Sequence, residues 1–343
     1  MLRSFSRLAS KPQLSALTAA KPNVYSTCSV KPDLLKMPSP TVSTRFMVIS
    51  DTHNYQIEDA ELAHSPFREP VPKCDVLLHC GDLTEVGGVP QYKRVLEVLK
   101  KVPAELKLVI AGNHDRDLDK EWWGSHPNRV DHPEQHEEAV AVMTGPLAKE
   151  AGVTYLEEGI YSFILQNGAK FTVYASPWQP EFYDWAFNYD RNRDRFNLPE
   201  HVAPGVISIA QNPIPDFGTV DIIMTHGPPK DILDWTMYGN VGCDNILRAV
   251  SRARPRLHCF GHIHEGHGAD CIIWRRETKD LGAKAIFNKS SLTNSYPEPN
   301  KCSISFGRET LFVNASIMNV EYMPVNAPWL VDLDLPQVSD RDS

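Results

Sequence analysis

Short apolar segments that end abruptly in polar residues recur along this chain of 343 residues. Each segment has the length and the aliphatic character of a buried strand, and each runs into an aspartate, an asparagine or a histidine. Helical segments lie between several of them, and this alternation predicts an α/β fold with parallel strands. The five stretches are Arg45–His53, Asp75–Asp82, Leu108–Asp115, Val220–Pro229 and Leu257–Gly266.

The stretch Leu108–Asp115 shows this pattern most clearly. After the apolar residues, Gly112 permits a sharp exit from the strand, and Asn113 offers an amide oxygen that can bind a divalent metal. His114 can carry a proton near neutral pH, and Asp115 could fix its tautomer through a hydrogen bond. Taken alone, the stretch fits a polar turn with a satisfied histidine equally well.

The other four stretches change this balance, because each of them also ends in residues that bind metals. In an open α/β sheet, the ligand crevice lies at the carboxyl ends of the strands. Residues i and i+2 of an extended segment point the same way, so Asp51 with His53, and His262 with His264, can each converge on one centre. The candidate metal ligands are Asp51, His53, Asp82, Asn113, His226, His262 and His264.

This set contains too many ligands for one ion and a suitable number for two, provided that one carboxylate is shared by both ions. Two cations roughly 3.5 to 4 Å apart can hold a hydroxide between them and stabilise both oxygens of an in-line displacement at phosphorus. Mixed imidazole and oxygen ligation without a thiolate suits Mn, Fe, Zn or similar ions and does not choose among them. The predicted cofactor is therefore two divalent metal ions.

The polar ends form an ordered series of motifs, D-x-H, G-D, G-N-H-D, H and G-H-x-H. This series resembles that of the calcineurin-like metallophosphoesterases. Five motifs in order are a specific signal, whereas any one of them alone would be weak. The resemblance implies a four-layer α/β/β/α sandwich of two mixed sheets, with the metal site on loops at one edge. The hydrophobic pattern by itself indicates only α/β.

The same resemblance implies a role for each residue of the site. One metal would be bound by Asp51, His53, Asp82 and His264, and the other by Asp82, Asn113, His226 and His262. A metal-bridging hydroxide would attack phosphorus, and Asn113 and His262 would help to neutralise the phosphate oxygens. His114 would bind the substrate and protonate the departing alkoxide, with Asp115 as its catalytic partner.

A narrower resemblance, to the metallophosphoesterase-domain-containing subfamily of phosphodiesterases, spans roughly Arg45 to Pro336. Two departures stand out: His267 occupies a position where a tyrosine is expected, and Ile272–Cys302 reads as a polar surface insertion before the last strands. The subfamily pattern is carried by Ser176–Asn188, Thr225–Pro229, Arg254–His258, Phe260–Gly268 and Val313–Ser316.

The predicted function is a metal-dependent phosphoesterase that hydrolyses a phosphodiester of a small molecule, with nucleotides as one class of substrate. A phosphomonoesterase or protein phosphatase is the alternative enzyme. A binding scaffold that keeps the fold without turnover is an alternative of a different class. Loss of ligands would mark such a scaffold, and none of the ligands in the series is lost.

The composition bounds the choice of partners and compartment. A formal net charge of -8 argues against a nucleic-acid surface, because phosphate backbones are bound by a basic field. Seven cysteines without a Cys-x-x-Cys pair favour a reducing, intracellular compartment over a disulfide framework. No run approaches the ~18 apolar residues of a membrane span, so we expect a soluble protein without a membrane partner. The sequence leaves the oligomeric state open.

The first 40 residues differ in composition from the single domain predicted for residues 41–343. They contain several basic residues, many serines and alanines, and no acidic residue before Asp33, which is typical of a mitochondrial presequence. A disordered tail rich in serine and proline is the other interpretation. The brief apolar spacing of Leu2, Phe5 and Leu8 favours this tail and, with it, a cytoplasmic location.

Further expectations concern the elements around the site. Helices are predicted at about Pro90–Lys101, Glu137–Glu150 and Asp244–Ala253, and closing strands at Thr310–Ala315 and Leu330–Leu335. Val153–Ala175 reads as two or three short antiparallel strands that begin a second sheet. The aromatic loop Trp178–Tyr189 would either close over a substrate or pack onto the domain. The arginines of Arg191–Arg195 read as a solvated turn.

Overall fold

The computed structural model describes residues 40–56, 67–68, 70–128 and 134–338. The predicted leader, apart from Pro40, lies outside these residues, so its role stays a prediction. None of the helices in the described ranges is both long enough and apolar enough to cross a membrane.

Short strands dominate the chain, and helices separate some of them. The strands up to residue 208 are β1 (Thr41–Ile49), β2 (Val76–His79), β3 (Leu106–Val109), β4 (Val153–Tyr155), β5 (Gly159–Ile164), β6 (Lys170–Ser176), β7 (Gln179–Pro180), β8 (Asn188–Tyr189), β9 (Arg193–Asp194) and β10 (Ile207–Ser208). The later strands are β11 (Ile222–Thr225), β12 (Trp235–Thr236), β13 (Gly239–Asn240), β14 (Leu257–Phe260), β15 (Gly268–Trp274), β16 (Ile286–Leu292), β17 (Asn300–Cys302), β18 (Glu309–Asn314) and β19 (Trp329–Pro336). The helices are α1 (Val89–Lys101), α2 (Lys120–Ser125), α3 (Gln135–Thr144), α4 (Pro146–Ala151) and α5 (Asp244–Ala253).

Two large mixed sheets carry the fold. The six-stranded sheet has the order β17-β19-β1-β2-β3-β4, and the seven-stranded sheet has the order β16-β15-β18-β14-β11-β6-β5. The central neighbours β1, β2, β3 and β4 pair in parallel, as do β6, β11, β14 and β18. Antiparallel pairs lie outside them, at β1 with β19, β5 with β6, and β15 with both of its neighbours.

Side chains that alternate along the strands divide the interior into three apolar layers. In β1, Phe46 and Val48 point between the two sheets, where Phe46 meets Phe171 edge to face with ring centroids 5.8 Å apart. Met47 and Ile49 point the other way and pack under α1, α3 and α4. On the far face of the second sheet, α5 covers the third layer. The predicted four-layer α/β/β/α sandwich is therefore confirmed.

The predicted helices at Pro90–Lys101 and Asp244–Ala253 are present as α1 and α5. The predicted single helix Glu137–Glu150 is wrong, because the chain forms α3 and α4 with a break at Gly145, whose backbone is extended (φ -92°, ψ -157°). Pro146 explains the break: its ring disfavours a helical conformation for the residue before it, while its fixed φ suits the first turn of the next helix.

Two segments pair differently from what the sequence suggested. Within Val153–Ala175, the first strand, β4, joins the first sheet in parallel with β3, and only β5 and β6 form the antiparallel start of the second sheet. The polar segment Ile272–Cys302 is not a plain surface insertion. It completes β15 and supplies an edge strand to each sheet, with β16 antiparallel to β15 and β17 parallel to β19. Its polar composition fits edge strands, because β16 is largely exposed.

Candidate metal centre

Five strands deliver the candidate ligands to one edge of the sandwich. β1, β2 and β3 of the first sheet and β11 and β14 of the second all end there, and hydrogen bonds join the loops that follow them. The Asp51 amide donates to the Gly81 carbonyl at 2.9 Å, and the Gly261 amide donates to the His226 carbonyl at 3.0 Å. All seven predicted ligands are brought into one cluster by this arrangement.

Four of the seven ligands have a strained backbone. Asp51, His53, Asp82 and His262 have φ values of 53°, 41°, 53° and 67°, in the left-handed region that side chains with a Cβ avoid. Such residues cost on the order of 1–3 kcal/mol each and tend to occur at functional sites. At Gly112 a Cβ would lie 2.3 Å from the Asp82 amide nitrogen, which agrees with the prediction that a side chain would hinder the exit from β3.

The first half of the centre contains two histidines whose rings are held by carbonyl oxygens. Nδ1 of His53 lies 3.2 Å from the Thr84 carbonyl, and Nδ1 of His264 lies 2.9 Å from the Asn319 carbonyl. Because a carbonyl only accepts, each Nδ1 carries the proton, and Nε2 of the neutral ring presents a lone pair. The two Nε2 atoms lie 3.4 Å apart, and Nε2 of His264 lies 3.5 Å from Asp51 Oδ1.

This half fits a cation well. Burial lowers the pKa of His53 to about 4, so its ring is neutral at pH 7. Burial also opposes protonation of His264, but the hydrogen bond and charge of Asp51 outweigh it and raise the pKa of that ring. A metal ion in the place of the His264 proton would satisfy both Nε2 lone pairs and the carboxylate together.

The second half is built around His226. Its Nδ1 lies 2.9 Å from the Cys80 carbonyl, so Nε2 faces the Asn113 amide oxygen at 2.9 Å and Asp82 Oδ1 at 3.4 Å. Burial disfavours a charged His226 ring, yet the charge and hydrogen bond of Asp82 raise its pKa to about 9. His262 is the second nitrogen ligand of this half, and burial lowers its pKa to about 3, which keeps that ring neutral.

Asp82 lies between the two halves. Its Oδ2 is 3.7 Å from Nε2 of His53, and its Oδ1 is 3.4 Å from Nε2 of His226. Burial opposes its ionisation, but the charge of His226 above all holds its pKa well below the usual range. Burial likewise opposes ionisation of Asp51, and the hydrogen bond of His264 brings its pKa to about 2. Two buried carboxylates that stay charged need positive charge beside them, which metal ions would supply.

The predicted hydrogen bond between Asp115 and the His114 ring is wrong. The Asp115 carboxylate does not hold the His114 ring. Instead it accepts hydrogen bonds from the amides of Gly112, Leu83 and Thr84, at 2.8 to 3.1 Å, and from the Thr84 hydroxyl at 2.8 Å. Asp115 is therefore a positioning residue that ties the loop after β3 to the loop after β2.

The His114 ring is held by other groups. Its Nδ1 lies 2.5 Å from the Glu85 carbonyl, and its face stacks on Trp185 with centroids 4.0 Å apart. The ring also lies within ligand distance of His53 and Asp82. Because Nδ1 donates to the carbonyl, Nε2 is the nitrogen that can bind or release a proton at the centre.

The aromatic loop Trp178–Tyr189 packs onto the domain in part, and its closure over a substrate stays a prediction. Phe187 and Tyr189 are buried in the domain, whereas Phe182 is half exposed and meets the His262 ring edge to face at 5.6 Å. The expected solvated turn Arg191–Arg195 is wrong for Arg195. Its guanidinium pairs with Glu158 at 3.0 Å and lies 3.8 Å from the centroid of the Trp178 ring.

Two buried histidines outside the ligand set were missed by sequence reasoning. Nε2 of His79 lies 3.0 Å from the Thr52 hydroxyl, and Nε2 of His258 lies 2.9 Å from the Thr225 hydroxyl. Each threonine also donates to a loop carbonyl, and each histidine has a buried Nδ1 without a hydrogen-bond partner. Burial lowers the pKa of both rings to about 3, so both are neutral. Each pair therefore braces a ligand-bearing loop, once in each sheet.

Replacing Thr225 by valine should destabilise the protein. The change keeps the side-chain volume but removes the donor to Gly227 O, at 2.7 Å, and leaves Nε2–H of His258 unpaired in the core. We expect the free energy of unfolding to fall by about 1–3 kcal/mol, as measured by guanidinium denaturation. Thr154→Val, at an exposed position of β4, is the matched control and should change it little. Equal stability of the two variants would show that the brace contributes nothing.

The sequence is similar to that of known proteins. The family described as calcineurin-like phosphoesterase matches residues 44–266. Metallophosphoesterase domain-containing protein 1 of Homo sapiens is 32% identical over 317 residues, which is 88% of this chain and 74% of that protein. UPF0046 protein T07D4.2 of Caenorhabditis elegans is 31% identical over 237 residues, which is 65% of this chain and 52% of that protein.

A solved structure is also similar. It is the phosphopantetheinyl hydrolase PptH from Mycobacterium tuberculosis, with 16% identity, a TM-score of 0.41, and coverage of 86% of this chain and 95% of that one. The family match covers the motifs from β1 to the loop after β14, and the human relative aligns with most of the chain. The chain therefore belongs to the calcineurin-like phosphoesterase family.

Proposed function

We propose that this metal-dependent phosphoesterase is a phosphodiesterase that uses two divalent metal ions. The observation that carries the proposal is the pair of ligand clusters on either side of Asp82. One cluster contains Asp51, His53 and His264, and the other contains His226 and His262 with the Asn113 oxygen. Neither cluster contains a thiolate, so the donor set fits Mn, Fe, Zn or similar ions.

The residues of this chain have distinct parts in such a reaction. Bound divalent cations would activate a water molecule and neutralise charge on the phosphate. The Asn113 amide and the His262 ring line the cavity beside the centre, where they can contact the phosphate oxygens. His114 lines the same cavity, and its Nε2 can give a proton to the leaving oxygen while the Glu85 carbonyl and Trp185 hold the ring in place.

The charges around the cavity favour a diester over a monoester. Arg191 is the only lysine or arginine among the described residues that line the cavity. Its guanidinium donates to the carbonyls of Val241 and Gly242. Glu265 adds an opposing charge. A phosphomonoester carries up to two negative charges and a phosphodiester one, so the diester demands less positive charge from the walls. A small-molecule phosphodiester, such as a nucleotide, is the proposed substrate class.

A paired substrate screen tests this proposal. Protein reconstituted with Mn²⁺ should hydrolyse bis(4-nitrophenyl) phosphate with a kcat/KM at least roughly tenfold above that for 4-nitrophenyl phosphate, a difference of about 1.4 kcal/mol in transition-state binding. The reverse preference would indicate a phosphomonoesterase. Metal binding without turnover of either ester would indicate a scaffold that retains the centre.

A further inference from the structure

A cavity of about 380 Å³ opens directly beside the metal centre. Asp82, Asn113 and His264 form part of its floor. Above this floor most of the wall is apolar and includes Phe182, Tyr238, Val241 and Tyr322, while Arg191 and Glu265 carry charge. A phosphate at the centre would place its substituent against these side chains.

Aromatic rings flank the centre on both halves. The Phe182 ring meets the ring of His262 with centroids 5.6 Å apart. The Tyr322 ring lies 4.9 Å from that of His53 and 5.1 Å from that of His264. These two rings contact ligands of different halves, yet each side chain is about half exposed, at 47% and 52%. They leave an apolar slot whose floor is the reacting centre.

A third aromatic residue extends the wall into solvent. Tyr238 is 87% exposed at the tip of the hairpin formed by β12 and β13. The base of the hairpin is fixed by the buried Asp234, whose Oδ2 accepts from the amides of Asp231 at 3.0 Å and Gly242 at 2.8 Å. The guanidinium of Arg191 also donates to the hairpin backbone, at Val241 O. The backbone that carries this exposed ring is thus fixed before any ligand arrives.

We propose that Phe182, Tyr238 and Tyr322 form a subsite for an aryl or similarly apolar substituent of the phosphodiester. The inference rests on the proposed function and adds which diesters are preferred. A flat apolar group would stack or pack edge to face in this slot and lose its contact with water. Polyphosphates fit poorly, because each further phosphate needs its own donors and Arg191 has two of its nitrogens bonded to backbone carbonyls.

Binding of two phosphonate analogues tests the subsite without turnover. Benzyl methylphosphonate and methyl methylphosphonate carry the same charge and differ only in the apolar substituent. Calorimetry on Mn²⁺-loaded protein should show the benzyl compound bound roughly tenfold or more tightly. In Phe182→Ala/Tyr238→Ala the ratio should fall towards one. Phe287→Ala, which removes an exposed aromatic ring on β16, should keep the wild-type ratio.

A kinetic pair separates this inference from the proposed function. Benzyl 4-nitrophenyl phosphate and methyl 4-nitrophenyl phosphate share a leaving group, and the wild type should favour the benzyl diester through KM. Suppose that the wild type cleaves both diesters with equal kcat/KM, and that the double variant changes neither this benzyl-to-methyl ratio nor that of phosphonate binding. The subsite is then overturned and the phosphodiesterase stands. If the benzyl phosphonate binds selectively and no diester is cleaved, the subsite stands and the proposed function fails.

Discussion

Replacement of His114 by alanine is expected to slow hydrolysis of an alkyl phosphodiester by about 10²- to 10⁴-fold, the usual contribution of general acid catalysis. A strongly basic alkoxide cannot depart without a proton, whereas a nitrophenolate can. The same variant should therefore lose much less activity on a nitrophenyl phosphodiester. The measurement is kcat for the two substrates in wild type and variant, together with metal content, which should not change.

His126→Ala is the matched control, because His126 is held by Asp184 and stacks on Trp122, outside the ligand set. It should leave both rates unchanged. Equal slowing of the two substrates by His114→Ala, with metals retained, would mean that His114 binds phosphate and donates no proton. Loss of metal would make it a ligand, an outcome that its position within ligand distance of His53 and Asp82 allows.

Replacement of Asp82 by asparagine is expected to reduce metal occupancy in both halves of the centre and to abolish most turnover. The change removes the charge that faces both His53 and His226, and it places an N–H group where a cation would accept an oxygen lone pair. Residues that only orient metal ligands typically contribute about 10- to 100-fold in affinity, so loss of a shared ligand should exceed that range. Elemental analysis and kcat/KM on the same preparation measure both effects.

Asp334→Asn provides the control, because it changes the net charge of the protein by the same amount as Asp82→Asn but neutralises an exposed carboxylate on β19. It should leave metal content and activity at their wild-type values. A variant Asp82→Asn that loses one ion and keeps the other would refute the shared role. Wild-type turnover in that variant would remove Asp82 from the reaction.

The ligands could be predicted from the sequence because each group of them directly follows an apolar strand, and parallel strands bring their ends to one edge. The two-residue spacing of Asp51 with His53 is not the reason, since both residues have positive φ and lie outside the extended strand. The order of the motifs then specified the family. The helices α1 and α5 were predictable from their apolar spacing. Pro90 lies in the first turn of α1, where proline does not break a helix.

Other parts of the site depend on contacts that no local pattern records. Asp115 follows His114 directly, yet its carboxylate bonds to backbone amides about thirty residues earlier in the chain, at Leu83 and Thr84. In the sequence His258 looks like an ordinary buried strand residue. Its partner, the hydroxyl of Thr225, lies on the neighbouring strand β11 and is distant in sequence. Tyr322 carries no motif and reaches the centre from a loop near the end of the fold.

Polar edge strands escaped prediction for a different reason. The β16 side chains are mostly exposed, so the alternation of apolar and polar residues that marks a half-buried strand is absent from Ile286–Leu292. Pairing with β15 satisfies its backbone instead. The break at Gly145 and Pro146, by contrast, was visible in the sequence and carries the ordinary signal for a helix end.

The most direct test of a dinuclear centre is anomalous scattering from crystals of the Mn²⁺-loaded protein. We expect two anomalous peaks roughly 3.5 to 4 Å apart. One should lie within bonding distance of Asp51, His53 and His264, the other within bonding distance of Asn113, His226 and His262, and both should contact Asp82. A single peak at full occupancy, or two peaks of which only one contacts Asp82, would contradict it.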